Sequence, residues 1–420
     1  MLSARVNTSA LLCHSLLPHT NMQLIIILIS ILLFVFYAAL IGYYRAVWRS
    51  IPNFPQPQTS NLKPQTSNLK PQTFISIIIP ARNEENNLPA LLKCLSGQSY
   101  DKDLFEVIVV DDHSTDNTAE IVKRFSAGNI KLISLKDHID QTSINSYKKK
   151  AIEVAIAQSK GELIVSTDAD CIVPHNWLES IASFYKETGA TFIVMPVSFS
   201  YRNNFLEIFQ ALDFMVLQGI TGAAVFKNAH SMCNGANLAY SRKAFDAVDG
   251  FKNINTIASG DDMLLMHKIY KQYPHGIKYL RSKEVIVQTE PMHSWKDFFN
   301  QRIRWASKAD KYDDKRIFGV LTLVYFFNVW LLVLPVIAAF KNIQYSLFTI
   351  HYSLFTSWLA LLAGKTTIEL FFLYPVATFF QKEKLLWLFP VAQPFHILYT
   401  IIAGWLGKFG SYQWKGRKVK

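Results

Sequence analysis

Four short apolar runs, each closed by polar residues and separated by segments of helical spacing, restrict the middle of this chain to a layered α/β architecture. The runs are Phe74–Ile79 (FISIII), Phe105–Val110 (FEVIVV), Ile130–Leu135 and Leu163–Ser166. Between them Leu88–Leu95, Ala119–Phe125 and Lys149–Gln158 carry apolar residues at helical spacing. Strands this apolar must be covered on both faces, so the alternation predicts a mainly parallel sheet between helices. In such sheets the polar groups used for binding collect at the carboxyl ends of the strands. Here those ends carry Arg82-Asn83-Glu84-Glu85, then Asp111-Asp112-His113-Ser114-Thr115-Asp116, then Asp168 and Asp170. The third strand ends near Lys136-Asp137 and is less expressive.

Asp168 and Asp170 stand two residues apart at the exit of a buried strand, where the strand fixes them and the turn lets their oxygens converge on a divalent cation. The plain alternative is an Asp-rich turn that bonds its own backbone. No G-x-G-x-x-G follows the first or second strand, and no G-x-x-x-x-G-K-[ST] occurs, so phosphates must be neutralised by something other than a glycine cradle. A metal on Asp168 and Asp170 supplies that charge. Gly260-Asp261-Asp262 precedes Met263-Leu264-Leu265-Met266, which places both carboxylates at a helix start, where capping alone also accounts for them. Asp116 has the same capping alternative, standing before Asn117-Thr118-Ala119-Glu120. Lys148-Lys149-Lys150 either approaches a diphosphate or forms a solvated helix start. Phe192–Val197 reads as a further strand, and Asn204–Val216 as an amphipathic helix that rests on a membrane or roofs a cleft. The small, polar segment 230–237 (HSMCNGAN) includes Gly235, where a backbone can approach a ligand closely. Arg242 and Lys243 beyond it are site residues or surface charges.

The flanks of this domain are apolar. Leu24–Ile41 (LIIILISILLFVFYAALI) is uncharged and, with its neighbours, long enough to cross the hydrocarbon. Only Arg5 precedes it as a positive side chain and the run is long for a signal core, so a cleaved leader is disfavoured. Arg45 and Arg49 follow it directly, which predicts a cytoplasmic C-terminal side. Trp295–Trp305 (WKDFFNQRIRW) alternates aromatic and basic residues, as an interfacial helix does. Beyond it Ile317–Phe340 is apolar, as are Tyr345–Ala363, Leu370–Phe380 and Leu385–Leu406, with Lys365 and Glu369 interrupting. Three distal spans strand the basic tail of Lys415, Arg417, Lys418 and Lys420 outside, whereas four bring it inside and put Lys382 and Lys384 outside. The larger charge of the tail favours four. The chain therefore divides into an extension (1–21), a transmembrane helix (22–44), a linker (45–73) holding two copies of QTSNLKP, the α/β domain (74–300), an interfacial basic segment (301–316), three or four transmembrane helices (317–407) and a basic tail (408–420).

The net charge of +12 fits attraction to anionic lipid, and no basic helix with interleaved aromatics points to nucleic acid. The four cysteines, Cys13, Cys94, Cys171 and Cys233, fit neither zinc spacing nor a disulfide framework, and the last three read as buried thiols.

VVDDHSTD at 109–116, STDAD at 166–170, SGDD at 259–262 and QRIRW at 301–305 occur in order. Together they resemble the membrane-anchored inverting glycosyltransferases of family 2 with the GT-A fold, the branch that includes ceramide glucosyltransferases and chitin, hyaluronan and cellulose synthases. The resemblance covers about 75–305. It implies a nucleotide diphosphate sugar donor, UDP-linked, with Mg2+ or Mn2+ held by Asp168 and Asp170. Pro80, Ala81, Arg82 and Glu84 then edge the nucleotide pocket, and a carboxylate of Asp111 or Asp112 faces the base or ribose. Asp262 corresponds to the catalytic aspartate, and Asp261 stands where many relatives have glutamate. Gln301, Arg302, Arg304 and Trp305 match a Q-x-x-R-W motif beside the acceptor and the leaving diphosphate. The resemblance further implies a cell (inner) membrane protein with its catalytic domain in the cytoplasm. Few polar residues lie in the apolar segments, which favours one transfer to a lipid acceptor in the bilayer over synthesis of a polysaccharide.

Overall fold

The computed structural model describes residues 8–55, 72–125, 128–138, 146–255, 257, 260–308, 314–344, 348–409, 412–414 and 417–419. The two QTSNLKP copies, Ser259 and much of the basic tail lie outside the described residues. The chain begins with helix α1 (Thr8–Ser50), which encloses and extends the expected 22–44 span. The alternation of apolar runs then becomes β1 (Ile75–Ala81), α2 (Leu88–Ser96), β2 (Phe105–Asp111), α3 (Thr118–Phe125), β3 (Ile130–Ser134), α4 (Tyr147–Gln158) and β4 (Leu163–Ser166). Next come α5 (Trp177–Thr188), β5 (Phe192–Val194), β6 (Val197–Phe199), α6 (Phe205–Phe226), β7 (Leu238–Ser241), α7 (Arg242–Ala247), α8 (Asp261–Gln272), β8 (Ile277–Tyr279), β9 (Val287–Thr289) and α9 (Trp295–Ala306). The distal part holds α10 (Lys315–Gln344), α11 (Phe348–Phe380), α12 (Phe389–Phe409), β10 (Tyr412–Trp414) and β11 (Arg417–Val419).

Seven strands form the main sheet in the order β3-β2-β1-β4-β7-β5-β8. β1 pairs in parallel with β2, Ile75 opposite Phe105 and Ala81 opposite Asp111, and with β4, Ile78 opposite Ser166. This register brings the polar ends of three strands to one edge. β7 runs antiparallel between β4 and β5, with Leu238 opposite Ser166. The residues that enter β7 therefore arrive at the same edge as those that leave β4.

Helix α2 shows how the sequence builds the layers. Pro89 sits in its first turn, where a missing N–H costs nothing, and Leu88, Leu91, Leu92 and Leu95 form one buried face. On the other side of β1, the turn into β4 passes so close that a Cβ on Gly161 would lie 2.4 Å from the Ser76 nitrogen. The Gly161 N–H donates to Ser76 Oγ at 2.7 Å, and Ser76 Oγ donates to Glu106 at 2.8 Å. Gly161→Ala is expected to cost about 1–3 kcal/mol, because a methyl group there must displace backbone rather than a flexible side chain. A lowered unfolding midpoint of the purified protein is the measurement, and an unchanged midpoint contradicts this packing.

Three expectations change. The helix expected over Asn204–Val216 runs on to Phe226 and is buried on most sides, against α1, α11 and α12, so it is a core element rather than an amphipathic surface helix. From Phe348 onward the expected 345–363 and Leu370–Phe380 segments belong to one continuous helix, α11, which among the described residues corrects the count of four distal apolar helices to three. Lys365 and Glu369 do not break it. They are four residues apart on one buried face, bonded at 2.8 Å, and Gln393 of α12 accepts from Lys365 at 2.8 Å. Third, the expected strand 192–197 is split into β5 and β6 in two different sheets. Among the described residues five helices are long and apolar enough to cross a membrane, α6 among them, but α6 has 83% of its most apolar stretch buried inside the protein.

Candidate active site

The site forms where the strands end. At the first two ends, Arg82 Nη1 donates to the Asp112 carbonyl at 2.8 Å, His113 Nδ1 lies 2.9 Å from Asp112 Oδ1, and the Ser114 N–H donates to Asp111 Oδ1 at 3.2 Å. Ala81 accepts the Asp112 N–H at 2.8 Å, which ties the end of β1 to the residue after β2. Glu84 is buried, takes a hydrogen bond from Asn87 at 2.9 Å and has its own N–H bonded to Thr118 Oγ1 at 2.8 Å. Ala81, Arg82, Glu84, Asp111 and Asp112 are thus tied together where β1 and β2 end, with Pro80 opposite Val110 in the register. Asp116 takes the capping role: it accepts the Thr118 N–H at 3.0 Å and the Glu85 N–H at 3.1 Å. Burial works to raise its carboxyl, but these bonds to the ionised form win and lower it.

The centre of the site is Lys148. Its ammonium lies 2.8 Å from Asp168 Oδ1 and 3.1 Å from Asp261 Oδ2, bridging the exit of β4 and the start of α8. Burial by itself would depress this lysine, but the negative charge of Asp168, Asp261 and Asp262 outweighs it and holds the ammonium well above its usual range. Asp261 is correspondingly lowered: burial opposes ionisation, and Lys148 and Lys308 overcome it. Lys308 is itself lowered by burial, despite the pull of Asp262. Asp262 is held differently. Its Oδ2 accepts the Gly235 N–H at 3.1 Å and its Oδ1 accepts the Met263 N–H at 2.8 Å, so two backbone donors fix the plane of the carboxylate and leave a lone pair on each oxygen.

Gly235 is in the site because β7 is antiparallel to β4. A Cβ on it would lie 3.2 Å from the Lys148 nitrogen and 3.4 Å from Asp261 Oδ2. Asn237 anchors the turn: its Oδ1 accepts from Trp177 Nε1 at 3.0 Å, and its Nδ2 donates to the carbonyls of Pro196 at 2.8 Å and Val285 at 2.7 Å. Arg242 is structural, donating to the carbonyls of Gly161, Ile156 and Ser159, all within 2.9 Å. Lys149 is buried and bonds the carbonyls of Ile254 and Ile257. The lysine run thus divides into one site residue, one structural residue and Lys150, beside Glu153 at 3.4 Å. Cys171 and Cys233 are buried, whereas Cys94 is partly exposed.

Helix α9 carries the QRIRW segment and starts at Ser294, whose side chain accepts the Asp297 N–H. Arg302 is 3% exposed and ion-paired with Asp213 of α6 at 2.9 Å, with its guanidinium 4.2 Å from the centre of the Trp305 ring. Gln301 accepts from Arg302 at 3.3 Å. Gln301, Arg302 and Trp305 therefore lock onto one another and onto α6. Arg304 lies close enough to Lys308 for its charge to depress that ammonium.

Two family patterns cover this arrangement. The one described as Glycosyl transferase family 2 matches residues 76–249, and the one described as Glycosyl transferase family group 2 matches residues 163–405, which takes in most of the site and the distal helices. The chain belongs to the family 2 glycosyltransferases. Glycosyltransferase AglE of Haloferax volcanii is 35% identical over 31% of this chain and 41% of its own length. The probable glycosyltransferase YdaM of Bacillus subtilis is 29% identical over 55% of this chain and 54% of its own length. The beta-monoglucosyldiacylglycerol synthase of Synechocystis is 25% identical over 55% of this chain and 47% of its own. The chain thus spans about half the length, or less, of these curated relatives. A solved structure, mannosyltransferase PcManGT from Pyrobaculum calidifontis in complex with GDP-Man and Mn2+, superposes at a TM-score of 0.53 and 19% identity, covering 91% of this chain and 98% of that one. That likeness concerns the fold, which is GT-A.

This glycosyltransferase keeps a donor set suited to a hard cation. The Asp168 side chain is 38% exposed and already holds a positive charge, the Lys148 ammonium, on one oxygen. Asp170 accepts a long contact from Cys171 Sγ at 3.7 Å. Among the described residues no three His, Cys, Asp or Glu side chains close into a metal cage. An open pair of carboxylates fits Mg2+ or Mn2+, which retain water and substrate-phosphate ligands.

Proposed function

We propose that this glycosyltransferase moves one sugar from a nucleoside diphosphate donor to a hydroxyl of a lipid held in the bilayer, with inversion at the anomeric carbon. The observation that carries the reading is the convergence of Asp168, Asp261 and Asp262 around Lys148 and the Gly235 backbone, at the strand edge next to apolar helices. Pro80, Ala81, Arg82, Glu84, Asp111 and Asp112 hold the nucleoside, and uracil offers an N–H that a carboxylate accepts. Asp168 and Asp170 would hold Mg2+ or Mn2+, which would supply positive charge against the diphosphate. Asp262 takes the proton of the acceptor hydroxyl as its oxygen bonds the anomeric carbon, and the bond to the diphosphate oxygen breaks with its electron pair going to the nucleoside diphosphate. Lys148 swings from Asp168 to the charge that grows on the departing group. Asp261 keeps that lysine ionised.

The lipid acceptor is supported by the likeness to a glycolipid synthase and by the chain's long apolar helices. Lys365, Glu369 and Gln393 bond one another and are thereby used up within the helix bundle, which supports one transfer over the threading of a polar chain. The domain faces the cytoplasm, where nucleotide sugars are made. Membranes containing the protein, incubated with labelled UDP- and GDP-sugars and extracted with organic solvent, should yield a lipid heavier by one hexose or N-acetylhexosamine. A ladder of increasing sugar number, or a label confined to the aqueous phase, overturns the reading.

Arginine at 304 supplies a paired, directional contact to phosphate that lysine lacks. Arg304→Lys is expected to lower kcat/KM by about tenfold, about 1.4 kcal/mol of transition-state binding. Wild-type kinetics would make the residue purely interfacial. Arg302 acts through position: its pairing with Asp213 sets α9 against α6.

A further inference from the structure

We propose that Asp314, the residue before helix α10, is a positioning residue for the transfer step: it grips the two elements that hold the Asp262 carboxylate and keeps that carboxylate aimed at the acceptor hydroxyl. This role rests on Asp262 being the base. Asp314 stands in the stretch 301–316, which the sequence marks only as basic and interfacial, yet it is 5% exposed. A carboxylate is costly to bury unless its charge and lone pairs are answered. Arg316 answers most of them. Its Nε donates to Oδ1 and its Nη2 to Oδ2, both at 2.8 Å, and its N–H donates to Oδ1 at 3.2 Å, capping the first turn of α10. Burial opposes ionisation of this carboxyl, and the bonds from Arg316 and Ser231 outweigh it and hold the group well below the usual carboxylate range.

Capping α10 does not require what Asp314 does beyond that helix. Its Oδ2 also accepts the Ser231 N–H at 2.8 Å. Ser231 Oγ lies 3.2 Å from His267 Nδ1, and the same nitrogen is 3.9 Å from Asp314 Oδ2, so the three side chains close a triangle. Both partners lead to Asp262. Ser231 opens the segment that supplies Gly235, whose N–H donates to Asp262 Oδ2 at 3.1 Å. His267 belongs to α8, whose first turn is Asp261-Asp262. Arg316 adds a second hold on α8, with its guanidinium 4.8 Å from the centre of the Tyr270 ring and its Nη1 3.2 Å from the Tyr270 hydroxyl. The residue before Ser231, His230, has its Nε2 2.9 Å from the Tyr44 hydroxyl of α1. The segment that carries Gly235 is therefore tied to two of the apolar helices, α1 and α10.

A shift of about 1 Å at a reacting group can cost on the order of 10²-fold in rate. The residues tied together at the ends of β1 and β2 are a separate set, so a loosened Asp314 should slow transfer and spare nucleotide binding. Asn at this position keeps the shape and one acceptor oxygen, but turns an NH2 toward either the Arg316 guanidinium or the Ser231 N–H.

The test uses the full chain in its membranes, with transfer rates measured beside equilibrium binding of UDP and GDP. Asp314→Asn is expected to lower kcat about tenfold, with the Kd of the nucleotide that the wild type binds held within about twofold. Arg316→Lys keeps the charge but loses the two-pronged pair, so it should show the same split at smaller size, and it decides the matter if Asp314→Asn no longer binds nucleotide. In an Asp262→Asn background Asp314→Asn should cost less than about twofold further, since no base is left to aim. Wild-type kcat in both variants overturns the proposal. So does a loss that multiplies fully with that of Asp262→Asn, or one matched by an equal loss of nucleotide affinity, because a merely structural residue acts in that way. A fully active Asp262→Asn overturns the reading of the base itself, and this role with it.

Discussion

Asp262→Asn is expected to leave donor binding near normal and to slow transfer roughly 10²-fold or more, a barrier increase of about 2.7 kcal/mol. An acceptor hydroxyl is a poor nucleophile until its proton is leaving, and an amide oxygen is too weak a base to take it. The asparagine fills the same space, and its oxygen still accepts one of the two backbone hydrogen bonds that hold Asp262, from Gly235 at 3.1 Å or from Met263 at 2.8 Å. The loss should therefore appear in kcat, with donor affinity as the control for a folded site. A fully active variant removes Asp262 from the role of base. A product that retains the anomeric configuration of the donor removes the single-displacement mechanism altogether.

Asp170→Asn should abolish transfer and metal-dependent donor binding, and a chelator should do the same to the wild type. The diphosphate brings negative charge to an edge that already holds Asp168, Asp170, Asp261 and Asp262. Lys148 bridges Asp168 and Asp261, and Lys308 adds a second, largely desolvated ammonium. Two ammonium groups and the Arg304 guanidinium against four carboxylates still leave the diphosphate facing net negative charge unless a divalent cation is added. The asparagine removes one anionic ligand without changing shape, so the far-ultraviolet circular dichroism should be unchanged. Undiminished activity in chelator would show that Lys148 and Lys308 suffice. In that event Lys148→Met becomes the decisive variant, since it removes the charge that bridges the two acidic elements.

The sequence by itself determined the parallel half of the sheet, the edge on which binding groups collect and the order of the acidic motifs. These properties are local: a run such as FISIII or FEVIVV must be buried on both faces, and a strand that ends in Asp111-Asp112 or leads to Asp168 must present them at its exit. The tertiary structure decided which of these groups meet. Lys148 is close in sequence to neither Asp261 nor Gly235, and only the return of β7 antiparallel to β4 brings the three together. A hint existed, because a lysine in the first turn of α4 opposes the helix dipole and must be held by acceptors from elsewhere in the fold, carboxylates for Lys148 and carbonyls for Lys149. Arg302 and Asp213, 89 residues apart, gave no such hint, since pairing depends on how α6 and α9 cross. Hydropathy likewise identified Leu385–Leu406 as apolar but carries no direction. What such a helix packs on is set by the tertiary structure: Gln393 of α12 accepts from Lys365 of α11, and Gly407 packs closely against Ala306 of α9.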